Sequence, residues 1–374
     1  MDKPIRILHV LGALEIGGAE SRTMDIYRRI NREKIQFDFL VHTTKECFYN
    51  QEIRQLGGNI YCLPRFRVYN YFSYRKACKQ FFEEHKEYEI VHAHMTSTAS
   101  IYLPIAKKAG VKVAVAHARS AGVDKGVKGF ITKCLRKNLY KKCDHMFSCS
   151  DLASEAVFGK TAAEAGEVIV LPNAVDTKAY KRDEETREKV RAEHGLLDNF
   201  VVGHVGSFRY AKNHEFVIEV FAEFLKKKEN AKLMLLGDGE RRQEMEEKAR
   251  EMGIYEKILF CGNRHPIIPY YQAMDAYLFP SRYEGMPGVV IEAQMAGLPC
   301  LVADTITTQV KVTPLVEFMS LQQNAKEWAE RLYEISQKEK DTAEIDLTKT
   351  NYDVNYQVKQ YEAFYQTGDV SVMK

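Results

Sequence analysis

The chain has 374 residues, a length that suggests about two domains, each large enough to bury a substantial core. Apolar residues make up 45% of it and charged residues 28%, which excludes a disordered, fibrous or low-complexity protein. The net charge of +3 is too small to indicate a nucleic-acid-binding protein, and the sequence contains no nucleic-acid recognition module.

Two further features of the sequence indicate the cellular compartment of the protein. The first residues lack the apolar segment of a signal peptide, and no run of about 18 uncharged apolar residues could span a membrane. Eight cysteines are scattered without a C-x-x-C pair, and several lie in apolar strand-like runs. We therefore predict a cytoplasmic protein whose cysteines are reduced core thiols.

Strand-like and helix-like segments alternate along the chain, which indicates parallel α/β sheets. In the first half, the predicted strands are Ile5–Leu11, Phe37–His42, Asn59–Leu63, Ile90–His94, Lys112–His117, His145–Cys149 and Val168–Leu171. The helical patterns between them include Ala19–Ile30, Ser73–His85 and Thr98–Ala109. After a helical segment at Thr186–His194, further strands are predicted at Val201–Val205, Lys232–Leu236, Lys257–Cys261, Ala276–Phe279 and Cys300–Ala303. The pattern predicts two doubly wound, Rossmann-like domains joined near Pro172–Asp176, followed by a helix at Val354–Tyr365.

A glycine pair follows the first predicted strand. Gly17 and Gly18 lie just before a predicted helix, where the backbone could approach a substrate closely. A dinucleotide fingerprint is the rival interpretation. Because Gly12, Gly17 and Gly18 do not form G-x-G-x-x-G, we exclude NAD as a cofactor.

The charge is divided unevenly between the two halves. Residues 1–180 carry 28 Lys and Arg against 19 Asp and Glu, a net charge of +9, and the remaining 194 residues carry 26 against 32, a net charge of −6. The segment Arg65–Lys76 mixes cations with aromatic rings. One predicted helix without acidic residues carries Lys125, Lys128, Lys133, Arg136, Lys137, Lys141 and Lys142. This surface could contact anionic lipid headgroups or hold a phosphate-bearing acceptor; the alternative is a solvated helix face.

Three histidines, His92, His94 and His117, lie in predicted strands of the first half of the chain. His117 ends the strand that begins near Val113, so its imidazole should emerge at the carboxyl edge of the sheet, where cleft residues collect; the alternative is a histidine without a chemical role. His92 and His94 are two residues apart and should point to one face. Zinc is conceivable there, but no third ligand has convincing spacing, and we predict no metal site.

The loop after the first strand of the second series carries two cations, Arg209 and Lys212. It leads into a helix, and a lysine there can meet a diphosphate without a metal ion. The alternative for Lys212 is a solvated side chain at a helix start, which the helix dipole disfavours. After the next strand, Gly237 and Gly239 form a glycine turn.

Two carboxylates, Glu284 and Glu292, lie eight residues apart across a strand-to-helix junction. Pro280–Pro287, which includes Gly285, Met286 and Pro287, is predicted as the loop after the strand, and Gly288–Ala296 is predicted as the next helix. The helix N-terminus offers N–H groups to a diphosphate, and a carboxylate one turn later can bind ribose hydroxyls. The alternative is that two exposed glutamates simply flank an ordinary helix start.

In order and context, these motifs resemble those of retaining glycosyltransferases of family 4, notably bacterial enzymes of capsular polysaccharide and exopolysaccharide synthesis. The resemblance rests on the Gly-Gly-Ala-Glu loop at Gly17, on Lys212, and on the Glu-x7-Glu pattern with Pro280-Ser281 before it and Ala296-Gly297-Leu298-Pro299 after it. It implies the GT-B fold, with two Rossmann-like domains facing each other across a cleft. The expected domains are residues 1–175 for the acceptor, residues 176–353 for the nucleotide sugar, and a helix at 354–374 that crosses back to the first domain.

The resemblance also implies the chemistry. It predicts transfer of a sugar, with retention, from a nucleotide-sugar donor, expected to be UDP-linked, to a hydroxyl of a glycan acceptor, expected to be lipid-diphosphate-linked. The enzyme would be cytoplasmic or peripheral on the inner face of the membrane, with no cofactor, metal or nucleic acid. The expected catalytic residues are His117, Lys212 and Glu284. The expected donor-binding residues are Gly17, Gly18, Arg209, Lys212, Gly237, Gly239, Glu284, Gly285, Met286, Pro287, Gly288 and Glu292.

The sequence departs from the family pattern at two places that concern function. Ser207 stands where the family has an arginine, and Arg209 is the candidate replacement. After Asp304, the family's Gly-Gly-x-x-Glu is missing, which leaves acceptor preference open. Two other functions use the same donor pocket: a GT-B sugar-nucleotide epimerase or hydrolase, and a non-catalytic nucleotide-sugar-binding partner subunit.

Overall fold

The computed structural model describes residues 3–122, 126–337 and 346–373. The chain divides into two compact units, which we call the first domain (Met1–Ala174 with Thr348–Lys374) and the second domain (Val175–Leu347). Each domain is built around one parallel β-sheet.

The first domain contains a seven-stranded sheet in the order β3-β2-β1-β4-β5-β6-β7. The strands are β1 (Ile5–Val10), β2 (Ile35–Val41), β3 (Ile60–Cys62), β4 (Ile90–Ala93), β5 (Val113–Ala118), β6 (His145–Ser148) and β7 (Val168–Val170). All neighbouring strands pair in parallel. All seven predicted strands are therefore confirmed, and their ends lie within two residues of the predicted ones.

The helices of the first domain are α1 (Gly18–Arg29), α2 (Asn50–Gln55), α3 (Tyr71–Glu84), α4 (Thr96–Lys108), α5 (Gly126–Arg136), α6 (Asp151–Phe158) and α7 (Lys160–Glu164). Helix α6 begins where Ser150 Oγ accepts a hydrogen bond from the Ala153 amide. Parallel strands are buried on both faces, and every residue of β2 is buried, including the polar Gln36 and Asp38.

The second domain contains a six-stranded parallel sheet in the order β10-β9-β8-β11-β12-β13. Its strands are β8 (Phe200–Val205), β9 (Ala231–Leu236), β10 (Ile258–Gly262), β11 (Ala276–Phe279), β12 (Cys300–Ala303) and β13 (Val316–Met319). Its helices are α8 (Glu184–Glu193), α9 (His214–Leu225), α10 (Arg242–Glu251), α11 (Ile268–Ala273), α12 (Gly288–Met295) and α13 (Ala325–Gln337). The edge strand β13 was not predicted, because it is short and carries a charged residue, Glu317.

The last helix, α14 (Val354–Thr367), belongs to the first domain. Asp353 caps its N-terminus by accepting hydrogen bonds from the amides of Asn355 and Tyr356. Its apolar face, which includes Tyr361 and Tyr365, packs into the same core as β1, β2 and α1. The chain therefore returns to the first domain after it has completed the second.

The basic helix differs from its prediction. Helix α5 ends at Arg136, and Asn138 then adopts a left-handed conformation with φ 62°. Lys141 and Lys142 consequently lie beyond the helix, and Arg136 is half-buried, with its Nε donating to Thr96 Oγ1 at 3.0 Å. Lys125 and the side chain of Lys128 lie outside the described residues. The cysteine prediction was partly wrong, since Cys62 and Cys134 are exposed.

Among the described residues, no helix is both long enough and apolar enough to cross a membrane.

Candidate active site

Lys212 and Glu284 meet at the carboxyl end of the second sheet. The loops that carry them follow β8 and β11, which are neighbouring strands of that sheet. Lys212 Nζ lies 2.7 Å from Glu284 Oε1, and the two side chains are 17% and 19% exposed. The ammonium also lies 4.9 Å from the centre of the Phe279 ring. Lys212 is therefore not the solvated helix-start lysine of the alternative interpretation.

The loop that carries Lys212 is tied to the loop after β11. Asn213 adopts a left-handed conformation, with φ 59°, and its side-chain amide donates to the Pro280 carbonyl at 3.0 Å. Arg282 donates from its backbone to Ala211 at 2.8 Å and from its guanidinium to Tyr210 at 2.7 Å. These bonds position the Lys212 backbone before any ligand binds. The sequence interpretation did not identify Arg282, because its role depends on contacts between two loops.

Gly206 is required by the position of Lys212. A Cβ atom at residue 206 would lie 2.8 Å from Lys212 Cδ, so any larger residue would displace the lysine stem. Gly237 has a φ of +132°, and a Cβ there would collide with the Gly206 carbonyl oxygen. A Cβ at Gly239 would lie 2.8 Å from the backbone of Phe208. Two predicted donor-binding glycines therefore have a packing reason to be glycine, and their contact with a ligand stays a prediction.

Helix α12 begins at Gly288, which confirms the predicted start. Pro287 occupies its N-cap and provides no side-chain oxygen to the first-turn N–H groups. The positive end of the helix dipole therefore faces the loop that contains Glu284, Gly285 and Met286. This is the geometry in which a helix N-terminus binds an anion.

Glu292 lies inside the second domain and is 2% exposed. The Tyr271 hydroxyl donates to its Oε2 at 2.8 Å. Burial and the nearby carboxylate raise the pKa of Tyr271 well above its usual value, so this hydroxyl keeps its proton. Since Glu284 is mostly buried as well, the alternative of two exposed glutamates at an ordinary helix start is wrong.

The structure does not bring every predicted donor residue to this cluster. The Arg209 side chain is exposed and forms no ion pair with any residue in the described ranges, and Ser207 is half-buried. Gly17 and Gly18 lie at the start of α1, in the first domain. A Cβ at Gly18 would face open space, so packing within the protein does not require a glycine there, and its contact with a substrate stays a prediction.

His117 lies one residue before the carboxyl end of β5, close to its predicted position. Its side chain, however, is fully buried and does not emerge at the edge of the sheet. Its Nδ1 lies 2.9 Å from His92 Nε2. No described residue forms a hydrogen bond with its other ring nitrogen, Nε2.

His117 is one of four buried histidines on one face of the first sheet. In the parallel register, His9 on β1 pairs with His92 on β4, and His94 follows on the same face two residues later. The His92 and His94 rings stack at 4.6 Å with an interplanar angle of 7°, which confirms that they share a face. His9 was not predicted, because its place beside His92 depends on the pairing of distant strands.

Three of these histidines could approach a metal ion. Their ring nitrogens, from His9, His92 and His94, lie within 4.8 Å of one another, so the expectation that no third ligand exists was wrong. However, His9 Nδ1 and His94 Nε2 are hydrogen-bonded at 3.0 Å, and Arg119 Nε donates to His94 Nδ1 at 3.3 Å. A guanidinium beside three neutral ligands disfavours a dication, so the cluster fits a hydrogen-bond network better than a metal site.

Burial keeps these histidines neutral. Burial, followed by the positive charge of Arg119, lowers the pKa of His9 to about 3. Burial is also the main cause that shifts the pKa values of His92, His94 and His117 well below their usual range, and the neighbouring histidines and Arg119 add to the shift. At neutral pH, each ring therefore carries one proton and no charge.

The chain matches known protein families over most of its length. Residues 16–179 match the family model described as Glycosyltransferase Family 4, and residues 186–349 match the model described as Glycosyl transferases group 1. A Bacillus subtilis (strain 168) protein that carries the name glycosyltransferase EpsF is 31% identical over 332 residues, which are 87% of this chain and 86% of that protein.

Two further relatives have more specific names. The capsular polysaccharide biosynthesis glycosyltransferase CapH of Staphylococcus aureus is 25% identical over 97% of this chain and 99% of its own. The UDP-Gal:alpha-D-GlcNAc-diphosphoundecaprenol alpha-1,3-galactosyltransferase of Escherichia coli is 27% identical over 59% of this chain and 58% of its own.

A solved structure has the same fold. The crystal structure of Anabaena Alr3699/HepE in complex with UDP and glucose matches with a TM-score of 0.77. It covers 97% of this chain and 100% of that chain, at 17% sequence identity.

The neutral histidines predict how stability depends on pH. In the unfolded chain a histidine has a pKa of about 6.5, whereas His9 has a pKa of about 3 in the folded protein. The unfolded state therefore binds more protons below about pH 6.5, and stability should fall as the pH falls. His9 alone should account for a loss of about 2 kcal/mol in the free energy of unfolding at about pH 5.

Urea unfolding at neutral pH and at about pH 5 measures this loss. His9→Gln should reduce the pH dependence, and His265→Gln, at an exposed position, should leave it unchanged. An unfolding free energy that is the same at both pH values would contradict neutral burial.

Proposed function

Because the chain belongs to the family 4 glycosyltransferases and has their GT-B fold, we propose that it transfers a sugar from a UDP-sugar to a hydroxyl of a glycan acceptor, with retention at the anomeric carbon. The name of one relative specifies UDP-galactose as its donor, and the structure of another similar protein contains UDP. The name of CapH supports a role in cell-surface polysaccharide synthesis. The observation that carries the proposal is the Lys212–Glu284 pair beside the N-terminus of α12.

The proposed mechanism depends on stabilising the departing diphosphate. Lys212 is held by Glu284 in the free protein, and a diphosphate with a larger negative charge would compete for its ammonium. The first-turn N–H groups of α12 would bind the same diphosphate. Groups of this kind contribute about 3–4 kcal/mol each to transition-state stabilisation.

The exchange of partners gives Glu284 a second role. Once Lys212 binds the diphosphate, the Glu284 carboxylate is released and can accept hydrogen bonds from hydroxyls of the donor sugar. Glu292, held by Tyr271, would bind the ribose hydroxyls, and Arg209 would add a second cation at the diphosphate. The site needs no metal ion in this mechanism, because the protein supplies the positive charge.

We further propose a lipid-diphosphate-linked acceptor, delivered at the surface of the cytoplasmic membrane. The name of the Escherichia coli relative specifies such an acceptor. On the first domain, Tyr69 is 85% exposed and Phe72 is 83% exposed. Cationic side chains around them are also exposed, namely Arg65, Arg67, Arg75 and Lys76. Aromatic rings among cations are suited to the interface of an anionic membrane.

Helix α5 carries a second group of exposed apolar and cationic side chains. Val127 is 77% exposed and Phe130 is 69% exposed, on one face of the helix, with the exposed Lys133 and Lys137 beyond them. Helices α3 and α5 both pack against α4, which places the two exposed groups on one side of the first sheet. An amphipathic helix with its apolar face in solvent is typical of interfacial binding.

The proposed role of Lys212 can be tested by substitution. Lys212→Ala should lower kcat by about 100- to 1,000-fold, because the diphosphate loses a charge-assisted donor. Lys248→Ala is the matched control: Lys248 is also paired with a glutamate, at 2.6 Å from Glu219, but on the helices α9 and α10. Steady-state transfer rates measure both, and equal rates for the two variants would contradict the role of Lys212.

The second prediction concerns the donor. A panel of nucleotide sugars is screened by thermal unfolding, since a ligand at 100 times its Kd adds about 2.7 kcal/mol to stability. One UDP-sugar should stabilise the chain, and Glu292→Gln should weaken its binding by about 10- to 100-fold, since a hydrogen bond to a charged group is lost.

Product analysis then separates the three functions. Transfer to a lipid-diphosphate glycan, with an unchanged anomeric configuration by NMR, supports the proposal. Conversion of the donor without acceptor would indicate an epimerase or hydrolase. Binding without any turnover would indicate a partner subunit.

The third prediction concerns the membrane. Tyr69→Ser combined with Phe72→Ser should reduce binding to vesicles containing phosphatidylglycerol by about tenfold or more, since two apolar rings no longer insert. Leu197→Ser, which removes a 59% exposed apolar side chain from the second domain, is the control. Cosedimentation measures binding. Wild-type protein that does not bind these vesicles, or a double variant that binds as well as the control, would contradict membrane contact.

A further inference from the structure

A chain of hydrogen bonds connects the C-terminal helix to His117. The Tyr365 hydroxyl on α14 lies 2.7 Å from His92 Nδ1, and His92 Nε2 lies 2.9 Å from His117 Nδ1. All three side chains are buried, with exposures of 2% or less. The chain ends at His117 Nε2, which forms no hydrogen bond with any described residue.

A second series of hydrogen bonds in the same histidine cluster shows how donors and acceptors are assigned along such a network. Arg119 Nε is bonded to His94 Nδ1, and His94 Nε2 is bonded to His9 Nδ1. A guanidinium can only donate, so His94 Nδ1 must accept. A neutral histidine carries one ring proton, and His94 therefore donates through Nε2. His9 accepts at Nδ1 and carries its own proton on Nε2.

The hydrogen bonds that join Tyr365, His92 and His117 allow two arrangements of protons. In the first, Tyr365 donates to His92, His92 donates to His117, and His117 carries its proton on Nε2. In the second, every bond runs the other way, and His117 Nε2 is an unprotonated acceptor. The second arrangement leaves the buried Tyr365 hydroxyl hydrogen without an acceptor, because no described residue other than His92 is bonded to that hydroxyl. The first arrangement leaves one buried polar group unpaired, the His117 Nε2–H, whereas the second leaves two, the Tyr365 O–H and the His117 Nε2 lone pair. Since each unpaired buried group is unfavourable, the first arrangement is preferred.

We propose that Tyr365 is a positioning residue that fixes the His117 proton on Nε2, so that His117 donates a hydrogen bond to a sugar oxygen and does not act as a base. The tautomer follows from the network alone, and its use on a sugar rests on the function proposed above. The matching ligand group is a hydroxyl or ring oxygen, which accepts where Nε2–H donates. The C-terminal helix would thus contribute to the site without contacting the substrate.

The tautomer can be measured directly, without an activity assay. Long-range ¹H–¹⁵N correlation spectra of the full chain labelled with ¹⁵N-histidine distinguish Nδ1-protonated from Nε2-protonated rings. The signals missing from His117→Ala identify His117. We expect Nε2-protonated His117 in the wild type, and a mixture of tautomers in Tyr365→Phe. The control, Tyr361→Phe, removes another buried hydroxyl one turn earlier on α14 and should leave His117 unchanged.

A measurement of activity tests whether the tautomer of His117 matters for sugar transfer. Tyr365→Phe should lower kcat/KM by about 3- to 10-fold, the range expected for one hydrogen bond. In a His117→Ala background it should have no further effect, since the group that it positions is absent. Tyr361→Phe should retain wild-type activity.

The positioning role of Tyr365, its importance for transfer and the proposed function can each be contradicted separately. A wild-type His117 protonated on Nδ1, or a Tyr365→Phe spectrum without change at His117, would overturn the positioning role. A changed tautomer together with unchanged kcat/KM would overturn its importance for transfer. The expected spectra together with no transfer by the wild type from any nucleotide sugar would contradict the proposed function and leave the tautomer assignment intact.

Discussion

The ion pair between Lys212 and Glu284 is the interaction on which the candidate site depends. It requires a glycine at residue 206, because the lysine stem occupies the space of a side chain there. It also requires the loops after β8 and β11 to be held together, which Asn213 and Arg282 achieve through hydrogen bonds to backbone carbonyls. The pair keeps a buried ammonium neutralised until an anion of higher charge replaces the carboxylate.

The two domains use different electrostatics at the carboxyl ends of their sheets. The second domain places a full positive charge and a helix N-terminus together, which suits a diphosphate. The first domain buries four neutral imidazoles on one sheet face, which suits uncharged sugar hydroxyls. Burial lowers their pKa values, so their protons are placed by hydrogen bonding and not by titration near neutral pH.

Much of the fold could be predicted from local sequence. Strands β11 and β12 were predicted to the residue, because each is a short apolar run bounded by turn residues. Strand β13 was missed, since an edge strand with a charged residue lacks that signal. The Lys212 and Glu284 loops could be identified because each follows a predicted parallel strand, and the carboxyl ends of such strands share one edge.

The rest depends on contacts between distant segments. Tyr365 and His92 are separated by 273 residues, and only the packing of α14 onto the first sheet brings them together. The place of His9 beside His92 follows from strand register, which no local pattern specifies. Arg136 was expected on the exposed basic surface, but α5 turns it toward Thr96 on α4. Side-chain direction of this kind is decided by helix packing.

A crystal structure of the chain with bound UDP tests the central claim most directly. We expect diphosphate oxygens within hydrogen-bonding distance of Lys212 Nζ and of the first-turn N–H groups of α12. We also expect the ribose at Glu292, and Glu284 turned away from Lys212. A diphosphate bound elsewhere, with Lys212 still paired to Glu284, would contradict it.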